Sequence, residues 1–293
     1  MERFIQVLVD GIATGSIYAA MALALVLIFR STGVVNFAQG EMAMFSTFVA
    51  WGLYEAGVPI ALAALTTIAL SFVAGMVIER VLIRHFEGGE VLTLVIVTLG
   101  LFILINSLAG WIWGFGNRGF PSLFPDDSVD LAGVRLSVES LGIVALLLVV
   151  VGLLFLLFQR TKIGLAMRAA ALNPEASALT GVRVGHMLML GWGLAAVLGA
   201  LAGVLVAPRL FLDVNLMGGV LIYAFAAAAL GGFDSPIGAV VGGWIIGVSE
   251  NLAATYIDFI GNDLRISVPL LLTVLVLLLR PQGLFGRREV VRV

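Results

Sequence analysis

Apolar residues in this chain gather into long runs separated by short polar breaks. The runs are Ile5–Phe29, Phe37–Tyr54, Val58–Ile78, Val91–Trp113, Leu141–Phe158, Met187–Ala207, Leu216–Gly231, Ile237–Ala254 and Ile266–Leu279. A helix needs about 20 mostly apolar residues to cross about 30 Å of hydrocarbon. The pattern therefore predicts an all-α, polytopic transmembrane protein with nine spans. Leu216–Gly231 and Ile266–Leu279 are short, so one could be re-entrant, and the range is eight to ten. The first run is broken by Asp10 and continues apolar to Phe29. It reads as a first span rather than a removed signal peptide.

Composition agrees. Of 293 residues, 61% are hydrophobic and 12% charged, against about a quarter charged in soluble domains. That excludes a cytosolic enzyme, a nucleic-acid binder and a disordered chain. The net charge of −2 recruits no partner by a global field, and the absence of cysteine excludes disulfides and Cys-based metal sites. The 35 glycines often fall inside apolar runs, where they let membrane helices approach closely.

The basic residues set an orientation. With nine spans, one side holds Arg30, Arg80, Arg84, Arg160, Lys162, Arg168, Arg183 and the tail residues Arg280, Arg287, Arg288 and Arg292, eleven of the 16 in the chain. The other side holds Arg3, Arg118, Arg135, Arg209 and Arg265. The richer side is expected to be cytoplasmic, with the C-terminus inside. The longest connections, Gly114–Ser140 and Gln159–His186, leave no room for a soluble domain, so residues 1–293 read as one transmembrane domain. No phosphate-binding Gly-rich loop ending in Lys-Ser/Thr is present. If transport is ATP-driven, the ATPase is another polypeptide.

The strongest local signal is TKIGLAMRAAALNPEASALTGVRVG, Thr161–Gly185. Asn173 can cap a second short helix, with Pro174 at its first position and Glu175 in its first turn. Gly181 suits the position past its end. Two short helices joined by an elbow are too short to span and too apolar for a solvated loop. The residues alone leave two options, a docking helix for a cytoplasmic protein or an amphipathic helix lying on lipid.

This run resembles the cytoplasmic loop of bacterial ABC importer permeases at Arg168, Ala169, Asn173, Ala176 and Gly181. STGVVNFAQGEM (Ser31–Met42), ALGGFDSPIGAVVGG (Ala229–Gly243) and RPQGLFG (Arg280–Gly286) agree. Together they resemble a branched-chain amino acid permease of the LivH type over nearly the whole chain. The resemblance implies a multi-pass protein of the bacterial cytoplasmic (inner) membrane. It implies a second permease subunit, two cytoplasmic ABC ATPases and a periplasmic or surface substrate-binding protein as partners, with surrounding membrane lipid and no cofactor. It implies docking to an ATPase for the loop 161–185, through Gly164, Arg168, Ala169, Asn173, Glu175, Ala176 and Gly181. Arg168 would be a polar contact or a loop stabiliser. The substrate would be a branched-chain amino acid, although similar permeases serve urea, short amides and other amino acids.

Two further segments break the apolar pattern. In NFAQGEM, Asn36, Gln39 and Glu41 stand with Gly40 at the start of a span. Irregular polar backbone at depth is tolerated beside protein or a cavity, so these four residues are candidates for the translocation path or its gate. The plainer reading has Glu41 complementing the positive end of the second span. In LGGFDSPIGAVVGG, Gly231 and Gly232 precede Asp234 and Ser235, either of which can cap the helix opened by Pro236. Gly231, Gly232, Asp234 and Ser235 are a second path candidate, or an ordinary tight turn. The echo between the two segments suggests a weak internal repeat. Ala195, Gly199, Gly203 and Ala207, like Gly243 and Gly247, form small-residue stripes expected to pack helices.

Asp10 and Glu250 are acids within or near apolar runs, each expected to face protein, a polar cavity or the interface. Asn251 and Thr255 could satisfy Glu250. These acids, with Glu41, carry the alternative function, an ion-coupled secondary transporter or channel. His85 and His186 are too far apart in sequence to suggest a metal site. VDLAGVRLS in the external connection reads as a small hairpin that could meet a delivery protein or cover helix ends.

Overall fold

The structure, a computed structural model, describes residues 2–86, 89–131, 134–259 and 264–286. Helices form on all nine apolar runs. They are α1 (Glu2–Thr32), α2 (Gln39–Glu55), α3 (Ile60–Val81), α4 (Val91–Trp113) and α5 (Val138–Arg160), then, beyond the two elbow helices, α8 (Val184–Leu210), α9 (Leu216–Gly231), α10 (Pro236–Tyr256) and α11 (Ser267–Leu279). The elbow helices are α6 (Lys162–Leu172) and α7 (Pro174–Leu179). Among the described residues, six helices, α1, α3, α4, α5, α8 and α10, are long and apolar enough to cross a membrane. The other three, α2, α9 and α11, have 17, 16 and 13 residues. The hairpin expected within the Gly114–Ser140 connection pairs β1 (Ser128–Leu131) with β2 (Val134–Ser137), Val129 opposite Leu136. Its turn residues Ala132 and Gly133 lie outside the described residues, as do the tail's Arg287, Arg288 and Arg292.

Chain contacts separate two compact units. One comprises Met1–Val26, Phe124–Val144 and Gly219–Val293; the other Leu27–Leu123 and Ala145–Gly218. In the first, α1 and α10 cross through glycines. A methyl group on Gly243 would sit 2.6 Å from the Ala19 Cβ and 2.7 Å from its Cα. One on Gly247 would run into the backbone of Gly15 and Gly11. Trp244 Nε1 donates to Ser16 Oγ at 3.0 Å across the same seam. Gly11, Gly15 and Ala19 thus form on α1 the partner of the Gly243–Gly247 stripe. Lipid offers no hydrophobic drive for helix pairing, so close backbone approach and its dispersion contacts hold these helices together.

The second unit is built around α8. Against α3, a methyl on Gly75 would lie 2.6 Å from the Trp192 carbonyl oxygen. Against α2, Gly199 and Gly203 face Gln39, Ala43 and Thr47. On their other faces α3, α4 and α5 expose Leu65, Val77, Ile96, Ile103, Leu153 and Leu156. Such exposed apolar faces suit helices that meet lipid.

Candidate functional site

The loop from Thr161 to Gly185 folds by a local code. Thr161 Oγ1 accepts the Gly164 amide at 3.0 Å and donates to the Leu157 carbonyl at 2.6 Å, so one side chain starts α6 and ends α5. Gly164 is buried because its Cα lies against Leu157 and Phe158, where a side chain has no space. Asn173 ends α6 and starts α7, its Oδ1 accepting the Ala176 amide at 2.9 Å. Pro174 takes the first position of α7 and Glu175 its first turn. Gly181 then adopts φ +87°, which a side chain would strain. The Gly181 amide donates to Ala178 O and the Val182 amide to Ser177 O, each at 3.0 Å, the paired bonds that close a helix with glycine.

This elbow presents apolar groups outward. Leu172 and Leu179 are 79% and 90% exposed, and Ala176 and Glu175 are exposed beside them. Arg168 and Ala169 are only partly exposed. Arg168 turns back toward α5, its Nη1 donating to Gln159 Oε1 at 3.3 Å. Asn173→Ala should cost about 1 kcal/mol of elbow stability by removing the cap. Faster amide exchange at Ala176 and Ser177, with the spans unchanged, is the expected signature.

Asn36, Gln39 and Glu41 are all buried. Asn36 Nδ2 donates to Gln39 Oε1 at 3.2 Å, and Asn36 Oδ1 accepts the Ala38 amide at 3.0 Å. Gln39 Nε2 donates to the Ala195 carbonyl of α8 at 2.9 Å. Gln39 fits there because Gly199 has no side chain: a methyl would stand 2.7 Å from Nε2. The polar segment and the small-residue stripe are therefore two halves of one helix contact. Glu41 points elsewhere, accepting from Asn106 Nδ2 at 3.1 Å, and Asn106 also donates to Val214 O at 3.0 Å. Gly40 is buried beside them in the first turn of α2.

Gly231, Gly232 and Ser235 meet in the α9–α10 turn of the other unit. Ser235, not Asp234, caps α10, accepting the Gly238 amide at 3.0 Å, while Asp234 is exposed. Gly231 lies against the Gly238 backbone, and Gly232 takes φ +100°. The tail folds back here. The Leu284 amide donates to Leu230 O at 2.8 Å and the Phe285 amide to Gly231 O at 3.0 Å. The last carbonyls of α9, which a helix cannot satisfy itself, find their donors in RPQGLFG.

The acids are each engaged. Asp10 is exposed and accepts from Ser140 Oγ at 2.8 Å. Glu250 is buried, but its partners are not the neighbouring Asn251 and Thr255. Tyr18 donates to Oε2 at 2.8 Å and Arg265 pairs with Oε1 at 3.3 Å. Tyr18 stacks on Tyr223, centroids 4.7 Å apart. Among the described residues, no group of three or more His, Asp or Glu could hold a metal.

A pair absent from the sequence reading lies at the end of the loop. Glu79 is wholly buried in the last turn of α3, and the Arg84 Nη2 pairs with it at 2.9 Å. Arg84 also donates to the Gly185 carbonyl at 2.7 Å, where α8 begins. The signal for it was an acid at the end of an apolar run, five residues before an arginine. Asn106 was signalled likewise, as a lone amide inside Val91–Trp113.

Comparison with known proteins sets these features in a family. The high-affinity branched-chain amino acid transport system permease protein BraD of Pseudomonas aeruginosa is 30% identical, over 99% of this chain and 98% of its own. The corresponding permease protein LivH of Escherichia coli K12 is 28% identical over the same shares. A probable branched-chain amino acid transport permease protein LivH of Methanocaldococcus jannaschii is 27% identical over 96% of this chain and 92% of its own. Residues 7–279 match the family described as branched-chain amino acid transport system / permease component. With its apolar helices, its glycine seams and a match across almost its whole length, the chain belongs to this family of membrane permease components.

Proposed function

We propose that this permease moves branched-chain or related amino acids across the bacterial cytoplasmic membrane as part of an ABC importer. As a permease component it is not an enzyme; ATP is hydrolysed by two separate cytoplasmic ATPases. A second permease subunit completes the path, and a periplasmic or surface binding protein delivers the substrate. The names of the full-length relatives support the substrate class. The excess of basic residues on the side of Arg30, Lys162 and Arg280 supports a cytoplasmic C-terminus.

The observation that carries the coupling role is the capped elbow of α6 and α7, with Leu172 and Leu179 held in the open. Exposed leucines on a rigid, polar-flanked corner are a protein docking surface more than a solvated loop. The ATPase would seat on Leu172, Ala176 and Leu179, with Asn173, Glu175 and Gly181 shaping the corner and Gly164, Arg168 and Ala169 fixing it to α5. Asn36, Gln39, Gly40 and Glu41, and Gly231, Gly232, Asp234 and Ser235, would then be the rigid joints beside the path. A carrier driven by protons on Asp10, Glu41 or Glu250 is less well supported, because each acid already has a neutral or cationic partner.

The test is Leu172→Asp with Leu179→Asp. Neither side chain is packed, so insertion and thermal stability should stay within about 0.5 kcal/mol of the parent. Co-purification of the ATPases and uptake of leucine in reconstituted vesicles should both be lost. Normal uptake, or uptake by this chain alone driven by a pH gradient, would sink the reading.

A further inference from the structure

A buried acid in the second unit has no charge to meet its own. Glu41, in the first turn of α2, is 5% exposed. Among the described residues its one bonding partner is the neutral amide of Asn106, and no cation lies against it. No side chain caps α2, so the acid is not engaged there. The position is deep: Asn106 lies two turns, roughly 10 Å, inside the Trp113 end of α4. An ionised carboxylate at such depth without a counter-charge is costly and points to a function. The group is also rich in acceptors and short of donors. Asn106 Nδ2 uses its hydrogens on Glu41 Oε2 and Val214 O. Glu41 Oε1 and Asn106 Oδ1 accept no bond among the described residues. A primary ammonium is the complement, with one positive charge and three N–H donors.

The surroundings narrow the class of ligand. Phe45 follows Glu41 by one turn on the same face of α2, and its ring meets Trp113 edge-on, centroids 5.1 Å apart. Phe48, a turn further on, stacks on the same Trp113 at 4.9 Å. The α2–α4 seam therefore passes from an acid and an amide to an aromatic wall within about one turn, roughly 6 Å. Asn106 is only half-buried, so the seam is open on its side. A ligand with an ammonium at one end and an aliphatic chain at the other matches both ends. A hydrated alkali ion makes no use of an apolar wall. We propose that Glu41, with Asn106 beside it, receives the α-ammonium group of the transported amino acid, whose aliphatic side chain lies along Phe45 and Trp113. This rests on the amino-acid import proposed above and assigns one end of that substrate to α2.

The experiment uses the full chain in nanodiscs and reads ligand binding by saturation-transfer NMR. Leucine and isoamylamine carry the ammonium; isocaproate has the same aliphatic chain and a carboxylate but no ammonium. Leucine and isoamylamine should bind, and isocaproate should not. Glu41→Gln keeps the size of the side chain and an acceptor for Asn106, so the thermal midpoint should hold. It should weaken leucine and isoamylamine by at least about tenfold, the loss of a charge-assisted bond. Binding of isocaproate as tight as that of leucine would overturn the proposal, and this comparison needs no variant. So would undiminished leucine binding in a folded Glu41→Gln, because glutamine reproduces a neutral acid with a structural role alone. Displacement of leucine by sodium ions as effective as that by isoamylamine would also overturn it. Leucine uptake with the partner subunits is scored in parallel. Uptake that survives Glu41→Gln overturns this site and leaves the importer reading standing. Glu41-dependent binding of isoamylamine without any leucine uptake by the parent keeps the site and overturns the substrate class.

Discussion

Gly247→Leu should leave little folded protein. The α1–α10 seam has no slack, because at Gly247 the obstruction is the backbone of Gly15 and Gly11, not the end of a flexible side chain. Neither helix can yield without losing the Gly243–Ala19 approach one turn away. The cost should reach the upper end of overpacking penalties, about 3 kcal/mol or more. In lipid no water-driven collapse compensates for it. We expect a fall in monodisperse protein after detergent extraction and a lower thermal midpoint. Gly152→Ala is the control: nothing lies within 4 Å of a methyl group there, and a better helix former should be neutral or gain up to about 1 kcal/mol. If Gly247→Leu extracts and melts like the parent, the seam does not organise this unit.

Arg84→Ala should be the most damaging single change in the other unit. It takes from Glu79, whose side chain is 0% exposed, the guanidinium that bonds both of its carboxylate oxygens. Breaking a buried pair from one side costs about 3–5 kcal/mol, and the partial exposure of Arg84 argues for about 3. Replacing both, as Glu79→Leu with Arg84→Met, removes the buried carboxylate together with its arginine and should restore the thermal midpoint. It does not restore the bond from Arg84 to the Gly185 carbonyl, which ties the end of the elbow segment to the end of α3. Uptake by the double variant with its partners should therefore stay low while stability recovers. Recovery of both would make the pair a stability device alone. Recovery of neither would mean that the buried charge is not the problem.

The two units were unequally legible. The elbow was readable because its signals lie within a few residues: Asn173 before Pro174 and Glu175, and Gly181 just past the end. Each acts on backbone groups one to four residues away. Caps depend on chain neighbours, so sequence carries them. The hairpin was readable for the same reason. The α10 cap was only half legible, since Asp234 and Ser235 are chemically equivalent candidates and the turn geometry chose Ser235. The partners of Glu250 were not legible. Tyr18 is 232 residues away, and nothing local singles it out above Asn251 and Thr255.

By itself the sequence determined that this protein is helical, lies in a membrane and carries a structured loop. These follow from hydrocarbon thickness, hydrophobicity and local capping, which act along the chain. Only the tertiary structure decided what the glycines and buried polar groups are for. Gly199 is the recess for Gln39, Gly243 and Gly247 are the face on which α1 lies, and the RPQGLFG tail supplies donors to the end of α9. The physical reason is that close approach and hydrogen-bond satisfaction belong to pairs of elements. A glycine or a buried carboxylate shows in the sequence only that a partner is needed, and the packing of the helices settles which partner it is.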